Sequence, residues 1–86
     1  MLPQVIKRDG TKEKFNLINI AKVATASGLT PDQAKELAET MSHWADGLNK
    51  SEMTSLEIRD KMVEELKKIN QNSANLYTWY EQSKEQ

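Results

Sequence analysis

Apolar residues recur along this chain at two different spacings, and the change from one to the other marks where its elements begin. Between Val5-Ile6 and Phe15 no apolar residue occurs, and the intervening stretch is charged around Asp9-Gly10. That pattern predicts two short strands joined by a tight turn, since Asp and Gly best tolerate the positive φ that a type I′ hairpin turn requires. From Leu17 the spacing becomes helical. Leu17, Ile20, Val23 and Ala24 share a face, Asn16 is placed to cap the helix, and Gly28 is placed to end it in the left-handed conformation.

Thr30-Pro31-Asp32-Gln33 then supplies a capping hydroxyl, a proline in the first turn, an acid near the positive helix end and a glutamine three residues after the cap. A second helix is expected there. Along it Ala34, Leu37, Ala38, Met41, Trp44, Ala45 and Leu48 fall on one face, and Asp32, Lys35, Glu36 and Glu39 on the other. Thr54 with Glu57 repeats the capping-box spacing, ahead of a stripe of Ile58, Met62, Leu66 and Ile69. Asn70 to Ser73 reads as an interruption, followed by a shorter fourth helix turning Leu76, Tyr77 and Tyr80 inward.

The pattern therefore predicts a hairpin over about 4–15 and helices over about 17–27, 31–47, 55–69 and 73–83. The expected class is α+β, mainly α, with an N-terminal β-hairpin packed on a four-helix bundle and a single domain over residues 1–86. A two-stranded hairpin is marginal by itself, so it must lean on the helices through Val5 and Phe15.

Composition narrows the function classes. Without cysteine there is no thiolate metal site, disulfide or cysteine nucleophile, and the lone histidine, His43, has no second imidazole to complete a metal pair. The three glycines, at positions 10, 28 and 47, have neither Walker nor dinucleotide spacing, and the carboxylates lie mostly on polar helix faces. An enzyme is not expected. Twelve Lys and Arg against 13 Asp and Glu argue against a nucleic-acid partner. No apolar run approaches the roughly 20 residues of a membrane span and no secretory pattern opens the chain, so no membrane partner and a cytoplasmic location are expected.

Lys7 and Arg8 before the turn, with Lys12 and Lys14 after it, concentrate cations on one small element. Such a cluster can hold a polyphosphate by charge-assisted hydrogen bonds, while lysines on an edge strand also guard against aggregation. Charge alone leaves both readings open.

The order Val5-Ile6-Lys7-Arg8-Asp9-Gly10, then Glu13, Phe15-Asn16-Leu17 and Ile20, resembles the opening signature of the ATP-cone family, the nucleotide-sensing module of ribonucleotide reductases. The likeness continues through Thr54-Ser55-Leu56-Glu57-Ile58 and the paired aromatics of Tyr77-Thr78-Trp79-Tyr80, covering essentially the whole chain. It is most specific at the hairpin. By resemblance, a hairpin or small sheet packs over four helices and a nucleotide lies between them. Val5 would line the base pocket, Lys7 and Arg8 would contact phosphates, and Glu13 with Asn16 would read the adenine edge. Ser55 takes the place of a hydroxyl near the phosphates, and Lys84 that of a basic residue ending the last helix. Asn16 as a helix cap and Ser55 as a first-turn residue are the plainer alternatives.

Three positions depart from the family pattern. Asn19 stands where many members place a phosphate-binding lysine. Arg59 replaces a histidine or glutamine, with a guanidinium able to restore the missing charge. Glu81 stands where an arginine often follows the aromatic pair. The resemblance implies an allosteric regulatory domain that binds ATP or dATP, with or without Mg2+, and controls the activity or oligomerisation of a ribonucleotide reductase through its subunits or domains. The alternative is a degenerate cone acting as a protein–protein interaction module without nucleotide binding, with Asn19 and the aromatics Trp44, Trp79, Tyr77 and Tyr80 as its support.

Overall fold

The computed structural model describes residues 2–84, with side chains through residue 82. Three strands, β1 (Gln4–Ile6), β2 (Lys12–Lys14) and β3 (Glu52–Thr54), accompany four helices, α1 (Leu17–Ala26), α2 (Pro31–Gly47), α3 (Ser55–Ile69) and α4 (Gln71–Lys84). The expected α+β class with its N-terminal β element on four helices is what the chain adopts.

The sheet has the order β2-β1-β3. β1 runs antiparallel to β2, with Val5 opposite Glu13, and parallel to β3, with Val5 opposite Met53. The sequence pattern had suggested only the hairpin. β3 is three residues long with one buried side chain, too short for alternation to reveal. It gives β1 a partner on its second edge, and the Gln4 N–H extends the ladder to the Ser51 carbonyl at 2.9 Å. Val5 and Phe15 are buried, as expected, and so is Met53.

The hairpin turn differs from the expected two-residue type. Lys7 N–H donates to the Thr11 carbonyl at 2.8 Å and Gly10 N–H to the Lys7 carbonyl at 3.0 Å, which closes a three-residue loop, Arg8-Asp9-Gly10. Only Gly10 in that loop has positive φ, at 88°, the pattern of a turn followed by a left-handed glycine. Asp9 instead acts through its side chain. Its Oδ1 accepts from the Thr11 hydroxyl at 2.7 Å and the Thr11 N–H at 3.0 Å, and these bonds hold its carboxyl below the usual range.

The starts of α1, α2 and α3 follow the sequence signals closely. Asn16 caps α1, accepting from the Asn19 N–H at 3.0 Å. Both Thr30–Gln33 and Thr54–Glu57 form reciprocal capping boxes. Gly28 lies at φ 99°, just past the end of α1.

The α3–α4 junction is tighter than expected. Asn70 alone is extended, and α4 begins at Gln71 rather than 73, with Asn70 Oδ1 accepting from the Asn72 N–H at 2.9 Å. One extended residue with a capping amide suffices to turn the chain. α4 buries Ser73, Ala74 and Tyr77, whereas Leu76 and Tyr80, expected inside, are exposed at 51% and 42%. With only Glu81 and Lys84 charged among its residues, α4 has no charged face to set its orientation in sequence. Leu48 and Ile69, at helix ends, also emerge to the surface.

α1 and α2 form the most extensive helix pair, and α3 packs chiefly on α4. Ala24, Leu37, Met41, Met62 and Leu66 make the centre of the core, each 2% exposed or less. The sheet covers one end of this core.

Candidate functional site

The parallel pairing of β1 with β3 is what builds the site. Ile6 lies opposite Thr54, so the next residues along, Lys7 and Arg8, leave the sheet beside the first turn of α3, where Ser55 sits. Backbone N–H groups at a helix start favour anions, and two cations emerging beside them add to that preference. Glu13 lies opposite Val5 on β2, so their side chains share the sheet face that turns toward the helices.

A cavity of about 480 Å³ opens between this face, α1 and the facing sides of α3 and α4. Its size is within the roughly 300–1,000 Å³ usual for small-ligand sites. Seven residues singled out in the sequence, Val5, Lys7, Arg8, Glu13, Asn16, Ser55 and Arg59, all line it. They come from positions far apart in the chain. The side chain of Lys84, the eighth, lies outside the described residues.

Lys7 Nζ meets Glu13 Oε2 at 3.2 Å, with both side chains half exposed. An exposed pair of this kind contributes little to stability and separates readily when a better partner arrives. Lys12 is turned elsewhere, its ammonium 2.6 Å from Glu52 Oε2. Lys14, which the sequence grouped with it, lines the cavity. Of the four hairpin cations, three therefore face the site.

Asn16 does two things at once. Its Oδ1 is engaged in capping α1, which leaves its amide NH2 to donate to a ligand. Asn19, in the next turn of α1, also lines the cavity, so the position where a lysine was missed faces the site with an uncharged amide. Arg59, four residues after Ser55 on α3, occupies the same helix face one turn further on.

Several wall residues have no site role in the sequence pattern, Phe15, Tyr77 and Glu81 among them. Phe15 and Tyr77 were assigned to the core; both are buried and both also form cavity wall. Burial pushes the Tyr77 phenol well above its ordinary range, and the adjacent Glu81 carboxylate pushes it the same way, while Arg59 opposes both. Glu81 itself was noted only as a departure from a family pattern. Helical spacing could have placed it, because Tyr77 and Glu81 are one turn apart.

The cavity thus combines an apolar floor of Val5, Ile20 and Met62, a cationic rim, a carboxylate, a donor amide and a helix start. An aromatic base needs the first, phosphates the cations and helix N–H groups, and a base edge the directed acceptor and donor. Among the described residues no cluster of three or more His, Cys, Asp or Glu is placed to hold a metal ion. No helix among the described residues is long and apolar enough to cross a membrane. A family model described as ATP cone domain matches residues 3–84.

Proposed function

The chain belongs to the ATP-cone family of nucleotide-binding allosteric domains, and on that premise we propose that it binds ATP or dATP in the cavity between sheet and helices. One observation carries this reading: the side chains suited to phosphate, Lys7, Arg8 and Arg59, share a cavity with those suited to an adenine edge, Glu13 and Asn16. The Glu13 carboxylate accepts from the exocyclic amino group of adenine, and the Asn16 amide donates to a ring nitrogen. Lys7, Arg8 and Arg59 take the phosphates, with the N-terminal turn of α3 adding its N–H groups. Lys7 leaves Glu13 as the nucleotide enters, so each partner of the ion pair exchanges the other for a ligand group.

The domain acts by binding rather than catalysis. It regulates a ribonucleotide reductase, because nucleotide occupancy changes the free energy of one subunit arrangement relative to another. ATP and dATP differ by one ribose hydroxyl, whose hydrogen bond is worth of order 1 kcal/mol, enough for a several-fold preference. The exposed Leu76, Trp79 and Tyr80 lie within two turns on one side of α4. They favour a role for that helix in contact with other subunits, a role that would remain in a cone that had lost its ligand.

Thermal unfolding with ATP, dATP and GTP separates these readings. Adenine nucleotide at about 100 times its Kd stabilises by about 2.7 kcal/mol, a rise in Tm of roughly 10 °C or more for a domain this small. GTP, whose base edge presents a carbonyl where adenine presents an amino group, gives a clearly smaller shift. Equal shifts with ATP and GTP would overturn the base-reading role of Glu13 and Asn16. No shift with any of them at millimolar concentration would leave the interaction module.

A further inference from the structure

The charges around the cavity are mixed, and one of them opposes a polyphosphate. Lys7, Arg8, Lys14 and Arg59 line it together with Glu13 and Glu81, a formal excess of two positive charges. Glu13 already meets a cation, Lys7, at 3.2 Å on the sheet side. Glu81 projects from the opposite wall, α4, and is half-buried beside Tyr77. The phosphate end of the cavity lies along Ser55 and Arg59 of α3, the helix against which α4 packs. Arg59 and Glu81 both act on the Tyr77 phenol, so on the nucleotide reading Glu81 lies on the phosphate side of the cavity.

We propose that Glu81 sets the charge of the ligand this cavity accepts, favouring the magnesium complex of the nucleotide over the metal-free form. This inference rests on the nucleotide reading above and goes beyond it. A magnesium ion bound across the phosphates cancels much of their negative charge, and it arrives on the nucleotide because the described residues offer no cluster of three or more carboxylate or imidazole ligands for it. Metal-free triphosphate meets Glu81 as a like charge in a partly enclosed site, where water screens it less than at an open surface. The magnesium complex brings a positive centre with its water shell to the same carboxylate. Burial fixes the Tyr77 ring, 4% exposed, and the interaction of its phenol with Glu81 raises the phenol further. The carboxylate therefore lies beside a fixed ring in the cavity wall.

The test is titration calorimetry of the unaltered chain and of Glu81→Gln, with ATP in magnesium and ATP in excess EDTA. Glu36→Gln, on the outer face of α2, serves as the charge control. The unaltered chain binds the magnesium complex several-fold more tightly. Glu81→Gln tightens metal-free ATP by about tenfold, leaves the magnesium complex nearly unchanged, and so removes most of the preference. Glu81→Ala acts in the same direction, and Glu36→Gln changes neither affinity. If the unaltered chain binds both forms and Glu81→Gln leaves the metal-free affinity unchanged, the inference falls and the nucleotide reading stands. Weakening of both forms would also overturn it, because Glu81 would then be accepting a hydrogen bond from the nucleotide. Failure of the unaltered chain to bind either form removes the nucleotide reading and this inference with it.

Discussion

Replacing Lys7 and Arg8 together by alanine leaves the domain folded and removes most of its affinity for adenine nucleotides. Each cation supplies charge-assisted hydrogen bonds to phosphate, worth about 1.5–3 kcal/mol apiece. The pair together therefore contributes roughly two to four powers of ten in Kd. Stability changes little, because Lys7 and Arg8 are exposed, and the Lys7–Glu13 pair, half exposed at 3.2 Å, is of a class contributing about 0–1 kcal/mol. The hairpin keeps its shape through backbone bonds at Lys7 and Gly10 and through the Asp9–Thr11 side-chain bonds, none of which needs the two cations' side chains. The measurement is a pair of unfolding curves with and without ATP: the ligand-free Tm of the variant matches the parent, and the ligand-induced rise disappears. A variant that retained the rise would move the phosphates away from the hairpin.

The opposite signature is expected from the core. Met41 is fully buried on α2, and Met41→Ala costs about 2–5 kcal/mol through lost burial and the cavity left behind. A domain of this length has a total stability of roughly 4–13 kcal/mol, so the variant loses a large share and its ligand-free Tm falls by roughly 10–30 °C. Met41 does not line the cavity between sheet and helices. Saturating ATP therefore still raises the Tm of the variant, and the native fraction binds with the parent's affinity. Denaturant midpoints with and without ATP check both halves of the expectation. Loss of the ligand response in Met41→Ala at temperatures where it is still folded would mean that the cavity depends on α2 packing more than its lining suggests.

These two variants separate residues whose roles differ in how far sequence could reveal them. Caps and breakers are local, so Asn16, Thr30 with Pro31, Thr54 with Glu57, and Gly28 placed the helix boundaries where the chain has them. The core of α2 followed from spacing because a charged face lies opposite it. α4 lacks such a face. Its buried positions are Ser73, Ala74 and Tyr77, two of them small, while the large Leu76 and Tyr80 point outward, so apolar spacing misassigned the helix's inner side. β3 was invisible for another reason. A three-residue strand with one inward side chain exists only because the free edge of β1 can pair with it.

The candidate site shows the same division. Lys7, Arg8, Glu13 and Asn16 lie within one short stretch whose residue order is distinctive, and they could be named before their surroundings were known. Their meeting with Ser55 and Arg59 depends on the parallel β1–β3 register, which no local pattern encodes. Tyr77 and Glu81 join the site through packing of α4 on α3, and a buried tyrosine looks the same in sequence whether it faces a core or a cavity.

The central claim is that an adenine nucleotide lies between the sheet and the helices. Its most direct test is to follow the backbone amide resonances of the whole chain during titration with ATP. The largest changes are expected at Val5 to Arg8, at Glu13 and Asn16, and from Ser55 to Arg59, with Lys35, Glu36 and Glu39 on the outer face of α2 unmoved. Saturable changes confined to the α1–α2 surface, with the hairpin and the start of α3 undisturbed, would contradict it.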